Sequence, residues 1–379
     1  MKRMIFAPEH EDFRESVRGF LASEAVPRVE EWEHAGVIDR PFWKQAAALG
    51  FVAFQAPEEL GGVGLEDFRF NAVIDEEVAY ANAATDAFAL VNDIVAPYLL
   101  ELTNDEQRAR WVPDVTTGDC VPVIAMSEPG AGSDLRGLQA SAKWSGDHWV
   151  LNGSKTFVTS GIQADLVIVA ANIKRDDVTG MGLFAVPSDA RGFTRGRKLD
   201  KIGRKAQDTS ELFFDDVVVP EEDVIGELGK GLSLLMRNLP QERLSIAVTA
   251  VASAERALEI TLEYVRTRTA FGKPIGSFQA NRFTLADAAT NVKIARVYVD
   301  RCIEAAVDGS LTAEEAAGAK YWTTELQFQV IDLGLQLHGG YGYMEEYEIA
   351  RMWRDARVQR IYGGTTEIMK EIVGRSLGL

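Results

Sequence analysis

Five short blocks of this 379-residue chain carry residue types suited to chemistry. SEPGAGSD (127–134) follows an apolar, strand-like run. Gly130 and Gly132 would let backbone amides approach a ligand closely, and Ser127 and Ser133 add hydroxyls. It is not a dinucleotide fingerprint: position 135 is Leu where a third glycine is needed, and no strand–helix–strand unit surrounds it. By residue type alone it is first of all a β-to-loop turn. RTRTAFGKPIGSFQ (266–279) sets Arg266 and Arg268 at a helix end, where cations suit the helix dipole as readily as an anionic ligand. QLHGGYGYMEEY (336–347) and RIYGGTTEIMKE (360–371) are glycine breaks flanked by aromatics, the first with a buried His338 expected. LPQERLSIA (239–247) offers Glu242, a carboxylate for acid–base work. A Glu two residues after Pro240 is also an ordinary stabiliser of a helix start.

The elements that must position these blocks fall into three segments. Residues 1–118 read as helical: Phe13, Val17, Phe20 and Leu21 form an apolar stripe, a short helix covers 41–49, and longer ones cover about 67–82 and 85–102. Thr103 with Glu106 reads as the capping box of another helix. Residues 119–226 change to short β-rich runs, with Ser145-Gly146-Asp147 and Asn152-Gly153 as turn signals, predicting an antiparallel domain of six or more strands. From 227 to 379 the helical period returns at about 229–267, 277–307, 312–338 and 345–376, a four-helix bundle. The fold class is α+β, in the order helical domain, β domain, helical bundle.

Composition narrows the function. A formal charge of −17 and a pI near 4.8 oppose nucleic acid and anionic membrane surfaces as partners. Any polyanionic ligand then needs locally placed Arg or Lys. Cys120 and Cys302 cannot build a disulfide framework and read as reduced thiols. The N-terminus has no apolar signal-peptide core, and no run reaches a membrane-spanning length. The expected location is cytoplasmic, and a mature organellar enzyme fits the same features.

Together, SEPGAGSD, NGSKTFVTSG (152–161), TRTAFGKPIGSFQ (267–279), QLHGGYGYMEEYEIARMWRDARV (336–358) and IYGGTTEIMKEIVGR (361–375) resemble the acyl-CoA dehydrogenase family in order and spacing, over essentially the whole chain. The resemblance implies a non-covalent FAD, a fatty acyl-CoA substrate, a homotetramer and an electron-transferring flavoprotein as acceptor. It implies that Ile124, Met126, Ser127, Gly132 and Ser133 line the flavin, with Ser133 also toward the CoA thioester arm. Phe157, Val158 and Thr159 match the segment packed on the flavin ring, with Phe157 where relatives often carry Trp. Arg268, Phe271, Phe278 and Gln279, with Gln336, Leu337, Gly339 and Gly340, resemble residues serving a neighbouring subunit's FAD. Ala270 departs from members that carry Thr there. Thr365 and Glu367 match the last cofactor contacts. Residues around Val91 to Tyr98 match the acyl pocket floor.

Many relatives place the catalytic carboxylate where this chain has Gly363. Glycine cannot accept a proton. LPQERL resembles the long-chain branch, which implies Glu242 as the base, Gly363 as donor of a backbone amide to the thioester oxygen, and Arg243, Tyr362 and Gly364 as substrate contacts. The expected reaction is dehydrogenation to a trans-2-enoyl-CoA. An acyl-CoA oxidase and a non-catalytic, FAD-binding nucleic-acid-binding relative are the competing readings.

Overall fold

The computed structural model describes residues 3–83, 85, 87–175 and 178–379. The first part is helical: α1 (Pro8–Phe20), α2 (Val29–Ala35), α3 (Arg40–Ala48), α4 (Phe68–Ala81), α5 (Ala87–Ala89), α6 (Ala96–Glu101) and α7 (Asp105–Thr116). The expected stripe on α1 forms, with Val17, Phe20 and Leu21 buried and Phe13 edge-on to Phe51 and Phe70. Two expectations need correction. The stretch 85–102 is not one regular helix, because α5 runs through a π-helical segment, Leu90–Val95, into α6. The wider π turn re-aims side chains, and Asn92, Asp93 and Tyr98 all end up buried. The capping box of α7 is Asn104 with Gln107, not Thr103 with Glu106. The Thr103 hydroxyl instead donates to the Leu99 carbonyl at the end of α6.

Strands follow: β1 (Pro122–Ala125), β2 (Ser141–Trp144), β3 (His148–Thr159), β4 (Leu166–Lys174), β5 (Met181–Pro187), β6 (Phe193–Lys198), β7 (Thr209–Pro220) and β8 (Val224–Ile225). Among the described residues they form one sheet ordered β6-β7-β3-β2-β4-β5-β8, with β1 also on β4. Pairing is antiparallel except along one edge of β4, which takes β1 on its first half and β2 at its end in parallel, while its other edge meets β5 antiparallel. Leu166 to Ala171 are all buried, so this strand is covered on both faces, unlike the alternating strands around it. Ser145–Asp147 joins β2 to β3 as expected. Asn152-Gly153 does not turn. It lies inside β3, where the register with β7 slips between Leu151 and Gly153. Gly153 has φ +146°, and a Cβ there would lie 2.7 Å from Ala140, so the dipeptide marks a bulge at a close backbone approach.

The last part comprises α8 (Gly231–Thr267), the small hairpin β9 (Thr269–Ala270) and β10 (Lys273–Pro274), α9 (Gln279–Val307), α10 (Ala313–His338), α11 (Glu348–Ala356) and α12 (Thr366–Ser376). Pro240 lies inside α8 rather than at its start. The helix expected over 345–376 is two, because Gly363 (φ +64°) and Gly364 (φ +102°) adopt conformations no helix contains. Cores do not follow the sequence segments. The N-terminal helices share one apolar cluster with the sheet, whereas Phe68 and Ala72 of α4 pack with the C-terminal bundle. That leaves α4 surrounded and its charges buried: Glu76 meets Arg3, Arg14 and Arg296, and Glu77 meets Arg14 and Arg18.

Candidate active site

Glu242 sits on α8 where it crosses the N-terminal helices. It is buried, and its Oε1 accepts a hydrogen bond of 3.2 Å from the Tyr98 hydroxyl of α6. Burial pushes its carboxyl up to about 7, and the nearby Asp93 adds to this, while the Tyr98 hydrogen bond and the Arg243 charge act in the opposite direction. A base poised near neutrality can take a proton and later release it. Arg243, also buried, is turned to the glycine turn, where its Nε donates to the Gly363 carbonyl at 3.3 Å. Lys320 of α10 is wholly buried, and its Nζ donates to the Gly364 carbonyl at 2.5 Å. Burial and the Arg243 charge depress this ammonium to about 7.

Two basic side chains thus hold consecutive carbonyls of the turn whose backbone amide was expected to meet the thioester oxygen. Thr365 closes the turn by capping α12, accepting from the Ile368 amide. Tyr362 lies half-exposed at its edge, with the Arg204 guanidinium 5.9 Å from its ring, and Glu367 is on the surface. A Cβ at Gly363 would fall 2.5 Å from Ile246 Cδ1. Here α8 supplies both the carboxylate and the methyl group that occupies the space a side chain at 363 would need.

The second part of the site is the edge of the sheet. Ile124 lies near the end of β1, and the chain then turns through Glu128–Ala131, where the two backbones bond reciprocally. Glu128, buried, accepts from the Gln139 and Ala140 amides at 2.6 and 3.0 Å and from Lys155 Nζ at 2.7 Å. Lys155 also donates to the Met126 carbonyl at 3.0 Å, and the Thr156 amide donates to the Ser127 carbonyl at 2.9 Å. Burial raises the Glu128 carboxyl, but these donors outweigh it and hold it below its ordinary value. This clamp leaves Gly132 and Ser133 exposed at the loop tip, with open space around Gly130 and Gly132.

Two residues past Lys155, the β3–β7 register slips again. Phe157 there has φ +58° and its ring is 69% exposed, while Val158 is buried beneath and Thr159 is half-buried. An exposed aromatic held in the left-handed region costs of order 1–3 kcal/mol, a strain that clusters at ligand sites.

The third group gathers at the other end of α8. Arg268 caps that helix with its guanidinium 5.6 Å from the Tyr341 ring. Phe271 projects from the hairpin at 95% exposure and meets Phe278 edge-on at 6.2 Å, beside Gln279. Gln336 and Leu337 end α10 close by, with Gly339 and Gly340 just past it, where buried His338 stacks on Tyr264 at 4.0 Å. Tyr98, Glu128, Lys155 and Lys320 were not singled out as individual roles in the sequence. Each works through a partner 27 or more positions away, which no local pattern reports.

Three family models cover nearly the whole chain: acyl-CoA dehydrogenase N-terminal domain (residues 7–119), middle domain (123–217) and C-terminal domain (229–378). The chain belongs to the acyl-CoA dehydrogenase family. It is 47% identical to the mitochondrial long-chain specific acyl-CoA dehydrogenase of Rattus norvegicus, over 99% of this chain and 88% of that one. An acyl-CoA dehydrogenase crystal structure from Geobacillus kaustophilus superposes with a TM-score of 0.96 at 45% identity, covering 99% of both chains. One from Bacillus anthracis, complexed with FAD, gives 0.91 at 31% identity over all of this chain and 69% of that one.

The protein is accordingly an oxidoreductase, and the reaction of its family is FAD-dependent dehydrogenation of an acyl-CoA. Neither the oxidase nor the nucleic-acid-binding reading is favoured. The residues present fit such a cofactor. The strained, exposed Phe157 offers a ring platform, the open Gly130–Gly132 loop offers backbone amides, and Arg268 is an exposed cation in an acidic protein. No helix among the described residues is long and apolar enough to cross a membrane.

Proposed function

We propose that Glu242 removes the α-proton of a long-chain acyl-CoA thioester, giving the trans-2-enoyl-CoA. The observation that carries this reading is a buried carboxylate poised near neutrality beside a glycine turn with no carboxylate of its own. Bound FAD supplies the acceptor for the β-hydride. Tyr98 orients the Glu242 carboxyl through its hydroxyl. The Gly363 amide takes the thioester oxygen as charge builds there, and Arg243 and Lys320 keep the turn in shape from behind. Met126, Ser127, Gly132, Phe157, Val158 and Thr159 hold the flavin ring, and Ser133, Tyr362 and Gly364 contact the substrate.

Arg268, Phe271, Phe278, Gln279, Gln336, Leu337, Gly339 and Gly340 serve a neighbour's FAD. Along α8, Arg268 lies 26 residues beyond Glu242, about 39 Å at 1.5 Å per residue, longer than one extended dinucleotide. A homotetramer supplies that neighbour. Exposed Phe283, Ile294, Trp322, Tyr343 and Ile361 give the C-terminal part apolar surface that such an assembly could cover. An electron-transferring flavoprotein is the acceptor we assign. We place the enzyme in the cytoplasm, on its two free cysteines, although its named long-chain relatives are mitochondrial. Anaerobic titration of the FAD-loaded protein with acyl-CoAs of increasing chain length tests the reading. Flavin absorbance should bleach most with long saturated chains. A protein that takes up FAD and is bleached by none of them refutes it.

A further inference from the structure

Three residues along α8 from Glu242, Ser245 meets two carboxyl groups from two other elements. Its Oγ lies 2.7 Å from Asp75 Oδ2 of α4 and 2.6 Å from Asp93 Oδ2 of the π-helical segment. The Asn71 amide donates to Asp93 Oδ1, and Gln241 Nε2 donates to the Asp93 main-chain carbonyl at 3.0 Å. Asn71, Asp75, Asp93 and Ser245 are all buried.

Counting protons decides the state of this cluster. A hydroxyl has one proton and can donate to one carboxylate only. A second ionised carboxylate at 2.6–2.7 Å would set lone pair against lone pair. Leaving both ionised in the interior would cost several kcal/mol, and sharing a proton is the usual resolution. Burial pushes Asp93 up to about 6, in the sense the count requires.

We propose that Asp75 and Asp93 hold a shared proton across Ser245, and that this pair positions Glu242 and sets the charge against which it ionises. The functional half of the proposal rests on Glu242 being the base. The polar and charged groups around Asp93 are Asn71 and Asp75 from α4, Gln241, Glu242 and Ser245 from α8, and its neighbour Asn92, while Tyr98 and Arg243 act on Glu242 itself. The Asn92 side chain is engaged with the Phe51 carbonyl and the Ala53 amide. Whichever carboxyl holds the proton, the other keeps one negative charge in this cluster, and Asp93 is the member that acts directly on Glu242.

Asparagine is a neutral isostere of a protonated aspartic acid, which makes the proposal separable by substitution. In FAD-loaded enzyme, Asp93→Asn or Asp75→Asn alone should leave flavin reduction by palmitoyl-CoA within about threefold, with the midpoint of its pH profile unmoved. The double Asn variant removes the residual charge, and that midpoint should fall by about half a unit or more. A double variant with an unmoved midpoint, or single variants that shift it as far as the double one, overturns the proposal. Infrared difference spectra in a Glu242→Gln background test the proton independently of the base assignment. A carboxylic-acid carbonyl band sensitive to D₂O should be present with both aspartates and lost on either single Asn substitution. If no band is lost, no proton is shared, whatever Glu242 does.

Discussion

Glu242→Gln separates the chemistry of this residue from its structural cost. Gln keeps the size and can still pair with Tyr98, but cannot take a proton. A positioned general base contributes about 10²–10⁴-fold, so anaerobic single-turnover flavin reduction should slow by at least about two orders of magnitude, roughly 3 kcal/mol of barrier. The same change should stabilise the protein in alkali. The Glu242 carboxyl is raised from 4.5 to about 7 by burial. A raised folded value means its contribution is complete below the unfolded value and is lost as pH rises through the folded one.

Between about pH 5 and about pH 8 the wild type should therefore lose about 2 kcal/mol relative to the Gln variant. Urea unfolding at both pH values measures this directly, and FAD content should stay near wild type. Wild-type reduction rates in the variant would refute the base assignment. Parallel stability curves across that pH range would refute the argument that burial poises this carboxyl.

Other outcomes follow from the same geometry. Phe157→Gly relieves a φ of +58° and should stabilise the FAD-free protein by about 1 kcal/mol while weakening FAD binding, read by calorimetry and flavin fluorescence. Lys155→Met leaves Glu128 buried without its cation and should cost roughly 3–5 kcal/mol on thermal unfolding. Arg268→Ala should weaken FAD binding by about 1.5–3 kcal/mol without blocking flavin reduction in loaded enzyme, and light scattering should report a tetramer. Moving the base by Glu242→Gly with Gly363→Glu meets the Ile246 Cδ1 methyl and a positive φ. Adding Ile246→Val, which removes that methyl, should recover more flavin reduction than the double variant alone.

The sequence by itself determined the order of helical, β and helical segments, because periods of 3.6 and 2 are local properties of a chain. It determined the candidate base as well. Gly363 removed one position for the carboxylate, and LPQERL supplied another by resemblance. Glycine punctuation marked the turn at 363–364 but not its consequence, that the helix drawn over 345–376 must be two. The Asn152-Gly153 dipeptide read as a turn because its bulge depends on how closely Ala140 approaches from outside that strand. Thr103 read as a cap because its competing acceptor, the Leu99 carbonyl, exists only once α6 is in place.

Tertiary structure alone decided the environment of the candidate base, Glu242. Burial, Tyr98 and Asp93 act on Glu242 from α6 and the π-helical segment, and Lys320 reaches Gly364 from α10. A carboxylate's readiness to take a proton is set by what surrounds it in space. Tyr98 is 144 and Asp93 149 positions from Glu242, and Lys320 is 44 from Gly364, so no local window of sequence contains them.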